Sequence, residues 1–121
     1  MTSFNDIATI YIATWNERNA EHRRTLMDRH WHSEARYVDP LMSARGTEQL
    51  GEMIAAVQER FPDFHFALRG AVDGHGDHVR FSWGLGPEGA EAIIEGSDVV
   101  ELSAGRLRDV VGFLDKVPAA A

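Results

Sequence analysis

TEQLGEMIAAVQERFPDFHFALRG, residues 47–70, changes its hydrophobic period midway, and that change decides the fold. Leu50, Met53, Ile54, Val57 and Phe61 recur at helical spacing on one face, with Thr47 placed to cap the helix and Pro62 to end it. From Phe64 the period is two, so that Phe64, Phe66 and Leu68 alternate with His65, Ala67 and Arg69. The same alternation returns in Val79, Phe81, Trp83 and Leu85, after a turn predicted at DGHGD, residues 73–77. GPEG at 86–89 predicts the next turn, and residues 90–102 and 106–114 predict two longer strands around Ser103 to Gly105.

Upstream, Ser3 and Asp6 form a capping-box spacing, and Phe4, Ile7, Ala8, Tyr11 and Trp15 follow at helical intervals, which predicts a helix over about residues 3–19. Residues 20–32 carry Leu26, Met27, His30 and Trp31 among charged neighbours, the pattern of a second, half-exposed helix with its exit at Ser33 and Glu34. ARYVD, residues 35–39, reads as a short strand stopped by Pro40, which cannot donate to a ladder and holds Asp39 extended. The order helix, helix, strand, helix, four strands predicts an α+β domain in which three helices of the N-terminal half cover one face of a mostly antiparallel sheet. Strong curvature of that sheet would leave a central pocket under the helices.

A chain of 121 residues suits one domain, residues 1–121, around one core. The net charge of −7, without any basic cluster, argues against nucleic acid and anionic membranes as partners. The absence of cysteine excludes a disulfide scaffold, a thiolate nucleophile and a Cys-ligated zinc site. Met1 to Trp15 has neither a basic start nor an unbroken apolar run, so the expectation is a cytoplasmic protein without signal peptide or membrane span. No segment repeats, and Pro118 to Ala121 reads as a frayed tail.

Carboxylates in apolar company are the first candidates for chemistry, because burying one is costly unless it is paired or protonated. Asp39 stands between Tyr37-Val38 and Pro40-Leu41-Met42, where it is either a reactive carboxylate or the anchor of an Asx turn. Asp98 shares its strand parity with Ile94, Gly96, Val100 and Leu102; inward it is buried, outward it is a solvated or ion-paired side chain. If inward, burial should raise its pKa, so that the two aspartates hold different charge states. Tyr11 lies on the apolar stripe of the first helix and needs a partner for its hydroxyl, whether catalytic or merely structural. Trp15, Tyr37, Met42, Met53 and Val57, with Phe61, Phe66, Phe81 and Trp83, are candidate walls for a ligand or ordinary core. His75 and His78 crowd a turn with Asp73 and Asp77, but at no recognised metal-ligand spacing. His30 and His32 suit a helix end, and His65 is a spare acid or base whose side of the sheet the sequence leaves open.

The element order, the strand ending Tyr37-Val38-Asp39-Pro40, the downstream Arg45-Gly46 and the final hairpin from Asp98 to Leu107 resemble the SnoaL-like branch of the nuclear transport factor 2-like superfamily over nearly the whole chain. The resemblance implies a cone-shaped fold with a central pocket and a homodimer formed through the outer sheet face. Ketosteroid isomerases of that superfamily are similar at three places, which implies Asp39 as the proton-shuttling base and Tyr11, in Tyr11-Ile12, with a neutral Asp98 as the oxyanion donors. The polyketide cyclases carry an acid in the last strand at the position of Gly112, so that acid is missing here. The superfamily's epoxide hydrolases need an arginine between two aspartates, and neither Arg80 nor Arg108 has a clear spacing to Asp98. The resulting expectation is proton transfer on a small hydrophobic carbonyl compound, isomerase-like or cyclase-like, without metal or organic cofactor. The alternative is a non-catalytic small-ligand binder or a dimeric assembly module of the same fold.

Overall fold

Ser3 opens the first helix, α1 (Phe4–Asn16), through the predicted capping box: its hydroxyl accepts from the Asp6 backbone and the Asp6 carboxyl accepts from its own, each at 3.1 Å. The structure is a computed structural model that describes residues 2–118, so Ala119 to Ala121 of the expected tail lie outside the described residues. The first helix stops at Asn16, earlier than its pattern predicts, because Asn19 already caps α2 (Ala20–His30) by accepting from the His22 backbone at 3.0 Å. Trp31 to Glu34, read as helix end and exit, belong instead to β1 (Trp31–Val38). A three-residue strand absent from the prediction, β2 (Ser43–Arg45), pairs back on β1 and leads into α3 (Gly46–Arg60). Thr47 does not cap that helix, whose N-cap is Arg45; Gln49 Oε1 accepts the Arg45 backbone N–H at 3.0 Å.

Four long strands follow: β3 (Phe64–His75), β4 (His78–Pro87), β5 (Ile94–Ser103) and β6 (Arg106–Lys116). Most of DGHGD is strand, leaving only Gly76 and Asp77 to turn, and Gly86-Pro87 likewise extend β4. The curved sheet runs β2-β1-β6-β5-β4-β3, antiparallel throughout except for the parallel pair β1 and β6. That pair places the last strand in the middle of the sheet, between residues made early and late.

One face of the sheet meets the helices. Val79, Phe81, Trp83 and Leu85 of β4, Val100 of β5 and Leu107 and Val110 of β6 are buried there against Ile7, Ala8, Tyr11 and Trp15 of α1 and Leu50 and Ile54 of α3. Polar side chains fix the rim where α1, α3 and β3 converge. The Asn16 amide bridges the Phe66 backbone, accepting at 2.7 Å and donating at 2.8 Å, and Gln58 donates to the Trp15 and Glu17 carbonyls. Phe64 and Phe66 are half-buried and Trp83 buried, so none of these rings is stranded in water. The exposed apolar residues of the outer sheet face are Val38, Val111 and Phe113 instead. Among the described residues, no helix is long and apolar enough to cross a membrane.

Candidate active site

Three adjacent strands build the floor of the cavity. Asp98 on β5 pairs in register with Gly112 on β6, and Val111, the next residue of β6, pairs with Val38 on β1, immediately before Asp39. The two aspartates therefore approach each other across Gly112. A Cβ on that glycine would stand 2.8 Å from Asp98 Oδ1, 3.3 Å from Asp39 Cβ and 3.4 Å from Tyr37 Oη, so only a residue without a side chain leaves room for all three.

Asp39 is held from three directions. Its Oδ2 accepts from the Tyr37 hydroxyl at 2.7 Å, while Oδ1 accepts from the Leu41 and Met42 backbone N–H groups at 2.7 and 2.9 Å. The Asx-turn geometry and a place on the cavity wall thus belong to the same carboxylate. Asp98 is 1% exposed, and its Oδ2 accepts from the Tyr11 hydroxyl, while Oδ1 has no hydrogen-bond partner among the described residues. Burial raises its pKa to about 6; hydrogen bonding from Tyr11 and the nearby Trp83 indole opposes the rise, and the charges of Asp39 and Asp115 add to it. The buried Trp83 indole N–H lies near this carboxyl and that of Trp15 near the Tyr11 hydroxyl, and neither N–H has another hydrogen-bond partner among the described residues. Burial and then the charge of Asp98 push both tyrosine hydroxyls well above the ordinary phenol range.

The cavity above this floor has a volume of about 370 Å³. Tyr11, Trp15, Tyr37, Asp39, Met42, Val57, Phe61, Phe66 and Trp83 all line it, as the sequence suggests they could. A run of rings forms one side, with centroid separations of 5.6 Å from Tyr37 to Trp15, 5.3 Å from Trp15 to Phe66 and 5.3 Å from Phe66 to Trp83. Three predicted residues are not on the wall. Asp98 is sealed behind Tyr11, Phe81 packs its ring 4.9 Å from that of Tyr11, and Met53 packs on the core one helical turn before Val57. The wall also includes residues that the sequence reading passed over: Leu85, Ile94 and Leu114, then Leu41, Arg60, Val117 and Pro118. Strand parity could have found Leu85, which shares the face of Trp83, and Leu114, which shares that of Gly112. Nothing in the pattern marked Arg60 at the end of α3.

The histidines stand apart. His65 opens onto a shallow depression with Arg69, Glu95 and Lys116, away from the cavity, because Phe66 takes the inward parity. His75 and His78 face each other with ring centroids 5.7 Å apart at an exposed hairpin tip. Among the described residues, no three His, Asp or Glu side chains gather as a metal site. Among the described residues, the chemically active groups of the wall are therefore the carboxylate of Asp39, the cation of Arg60 and the two tyrosine hydroxyls. Such a set can take a proton from a neutral carbon acid and return it, inside surroundings that otherwise offer only apolar packing.

A family model for the SnoaL-like domain matches residues 8–110. A proposed isomerase of the SnoaL-like family from Agrobacterium tumefaciens is 45% identical, with 95% of this chain and 99% of that one covered and a TM-score of 0.89. A proposed ketosteroid isomerase from Kribbella flavida is 16% identical (98% and 82% covered, TM-score 0.71). A proposed SnoaL-like polyketide cyclase from Jannaschia is also 16% identical (90% and 85% covered, TM-score 0.69). These two share the fold. No curated protein matches the sequence.

Proposed function

The chain belongs to the SnoaL-like domain family, and from that premise we propose that it is an enzyme moving a proton on a small hydrophobic carbonyl compound, as an isomerase or cyclase does, with no cofactor taking part. The observation that carries this reading is the position of Asp39 as the sole carboxylate, among the described residues, on the wall of an apolar cavity. In the proposed step, Asp39 removes a proton next to the carbonyl and returns it to another carbon. Charge developing on the carbonyl oxygen is met by Tyr11, whose hydroxyl turns from Asp98 to the ligand. That turn is easiest when Asp98 is protonated, since a neutral carboxyl competes less for the hydroxyl than a carboxylate does.

A panel of β,γ-unsaturated cyclic ketones tests the reading, with conjugation followed by ultraviolet absorbance. Wild-type protein should convert at least one member, and Asp39→Asn should lower the rate by roughly 10²–10⁴-fold while still binding the ketone. Binding without turnover in both proteins would favour the second reading, a non-catalytic binder. That reading draws on the two backbone N–H groups that make Asp39 a turn anchor. In either case the exposed Val38, Val111 and Phe113 suit the proposed homodimer through the outer sheet face, and a sedimentation mass of one chain at high concentration would remove it.

A further inference from the structure

Val57, Arg60 and Phe61 share one face of the last turns of α3, and all three line the cavity. Val57 and Phe61 are half-buried and Arg60 is exposed, so the guanidinium stands where the cavity meets water. A cation at the end of a helix ordinarily serves the free carbonyls there. In α3 that place is taken by Arg18, which donates to the Gln58, Phe61 and Phe64 carbonyls at 3.4, 3.1 and 2.7 Å. Among the described residues, Arg60 has neither an ion pair nor a hydrogen bond from its side chain. The acid on the same wall does not compensate it, because Asp39 is taken up by the Tyr37 hydroxyl and the Leu41 and Met42 N–H groups. Arg24 and Arg45 also lack ion pairs, but the depressions they line hold acids: Asp28, Glu48 and Glu52 beside the first, Asp109 beside the second. The rest of the cavity mouth is apolar. Leu41 and Val117 line it while 79% and 56% exposed. In a chain of net charge −7, the mouth therefore combines an unmatched cation with greasy edges.

We propose that the ligand of this cavity is a carbonyl compound with an apolar body and a terminal carboxylate, and that Arg60 is the specificity-determining residue that holds the carboxylate at the mouth. The carbonyl end lies inward toward Tyr11 and Asp39, the body runs along the aromatic rings, and the carboxylate meets the guanidinium fork through two parallel N–H bonds. One guanidinium matches one negative charge, which favours a carboxylate over a phosphate dianion. Both partners keep part of their hydration at the mouth, so the pairing costs little desolvation and adds modestly to affinity. Its larger effect is on orientation: with one end held at Arg60, only the other end can approach Asp39. This assignment deepens the function proposed above and rests on the ligand of that reading, but not on its proton transfer, since a non-catalytic binder would use Arg60 in the same way.

The test is calorimetric binding, at neutral pH, of β-benzoylpropionate and of its methyl ester, which share the aryl ketone and differ in charge. The ratio of the two Kd values is the reading, so a general loosening of the cavity in a variant cancels. Wild type should bind the acid about fivefold more tightly than the ester, and added salt should shrink that preference. Arg60→Gln should bring the ratio to about one, Arg60→Glu should turn it in favour of the ester, and Arg60→Lys, which keeps the charge and loses the fork, should retain part of it. Arg60 is exposed, so none of these changes disturbs the core. An acid that binds no better than its ester in wild type, or fails to bind, overturns the proposal. So does a preference for the acid that persists in Arg60→Gln, because the carboxylate is then held elsewhere. Turnover of neutral ketones by a protein indifferent to the carboxylate would reject the role of Arg60 and keep the enzyme. A preference for the acid that depends on Arg60, without turnover of any ketone, would keep the role of Arg60 and favour the binder.

Discussion

The cavity floor and the tip of the β3–β4 hairpin both collect acids and hydrogen-bonding partners, and the chain treats them in opposite ways. At the tip, Asp73 and Arg80 pair at 2.8 Å with side chains 68% and 69% exposed, and His78 lies 3.6 Å from an equally accessible Glu101. Water serves each of these groups as well as its neighbour does, so their proximity has little energetic weight. On the floor, Asp98 has lost water altogether, and each neighbour that gives or withholds a proton changes its state. A cluster of suitable residue types is thus common to both places. Removal from solvent is what separates them.

The largest contrast should be seen in the pH dependence of folding. The folded pKa of Asp98, about 6, lies above its ordinary value of 3.8, so the folded protein holds a proton that the unfolded chain releases. The associated stability is fully present below pH 4 and is lost as the pH rises through 6, a change of about 3 kcal/mol. Denaturant titrations across that window should show this loss in wild type and not in Asp98→Asn. Next in size, Gly112→Ala should cost roughly 1–3 kcal/mol by chemical denaturation, because its Cβ would meet an aspartate oxygen inside a packed site. At the other extreme, Arg80→Ala should change stability by less than about 0.5 kcal/mol and leave ketone binding untouched. If Arg80→Ala proved as damaging as Gly112→Ala, exposure would not be the distinction drawn between the two regions.

Legibility in the sequence followed the range of the interactions. The capping box at Ser3 and Asp6, the apolar face of α3 and the alternation in β3 and β4 are local patterns, and the structure contains all of them. The short strand β2 carries no alternation of its own and exists because β1 offers it an edge, so Ser43 to Arg45 gave no signal. Trp31 read as a helix residue because it follows Leu26, Met27 and His30 among charged neighbours; the parallel partner that draws it into β1 is Leu107, far along the chain. The candidate site divides similarly. Asp39 and Asp98 stood out through their apolar neighbours, whereas the placement of Asp98 behind Tyr11 depends on how α1, packed on β3 and β4, brings Tyr11 to Asp98. Gly112 entered the reading only as the place of a missing acid, and its contribution as empty space needed the strand order to be known.

That strand order also governs when the site can come into being. During synthesis β1 emerges with Tyr37 and Asp39 long before β6, the strand that must lie beside it, and β5 has no route to β1 except through β6. Tyr11, Tyr37, Asp39 and Asp98 can all be outside the ribosome and still be strangers to one another. A nascent chain halted before Arg106 exposes the edges of both β1 and β5, each a template for pairing with the wrong neighbour. The protein becomes competent in one late event, the insertion of its central strand.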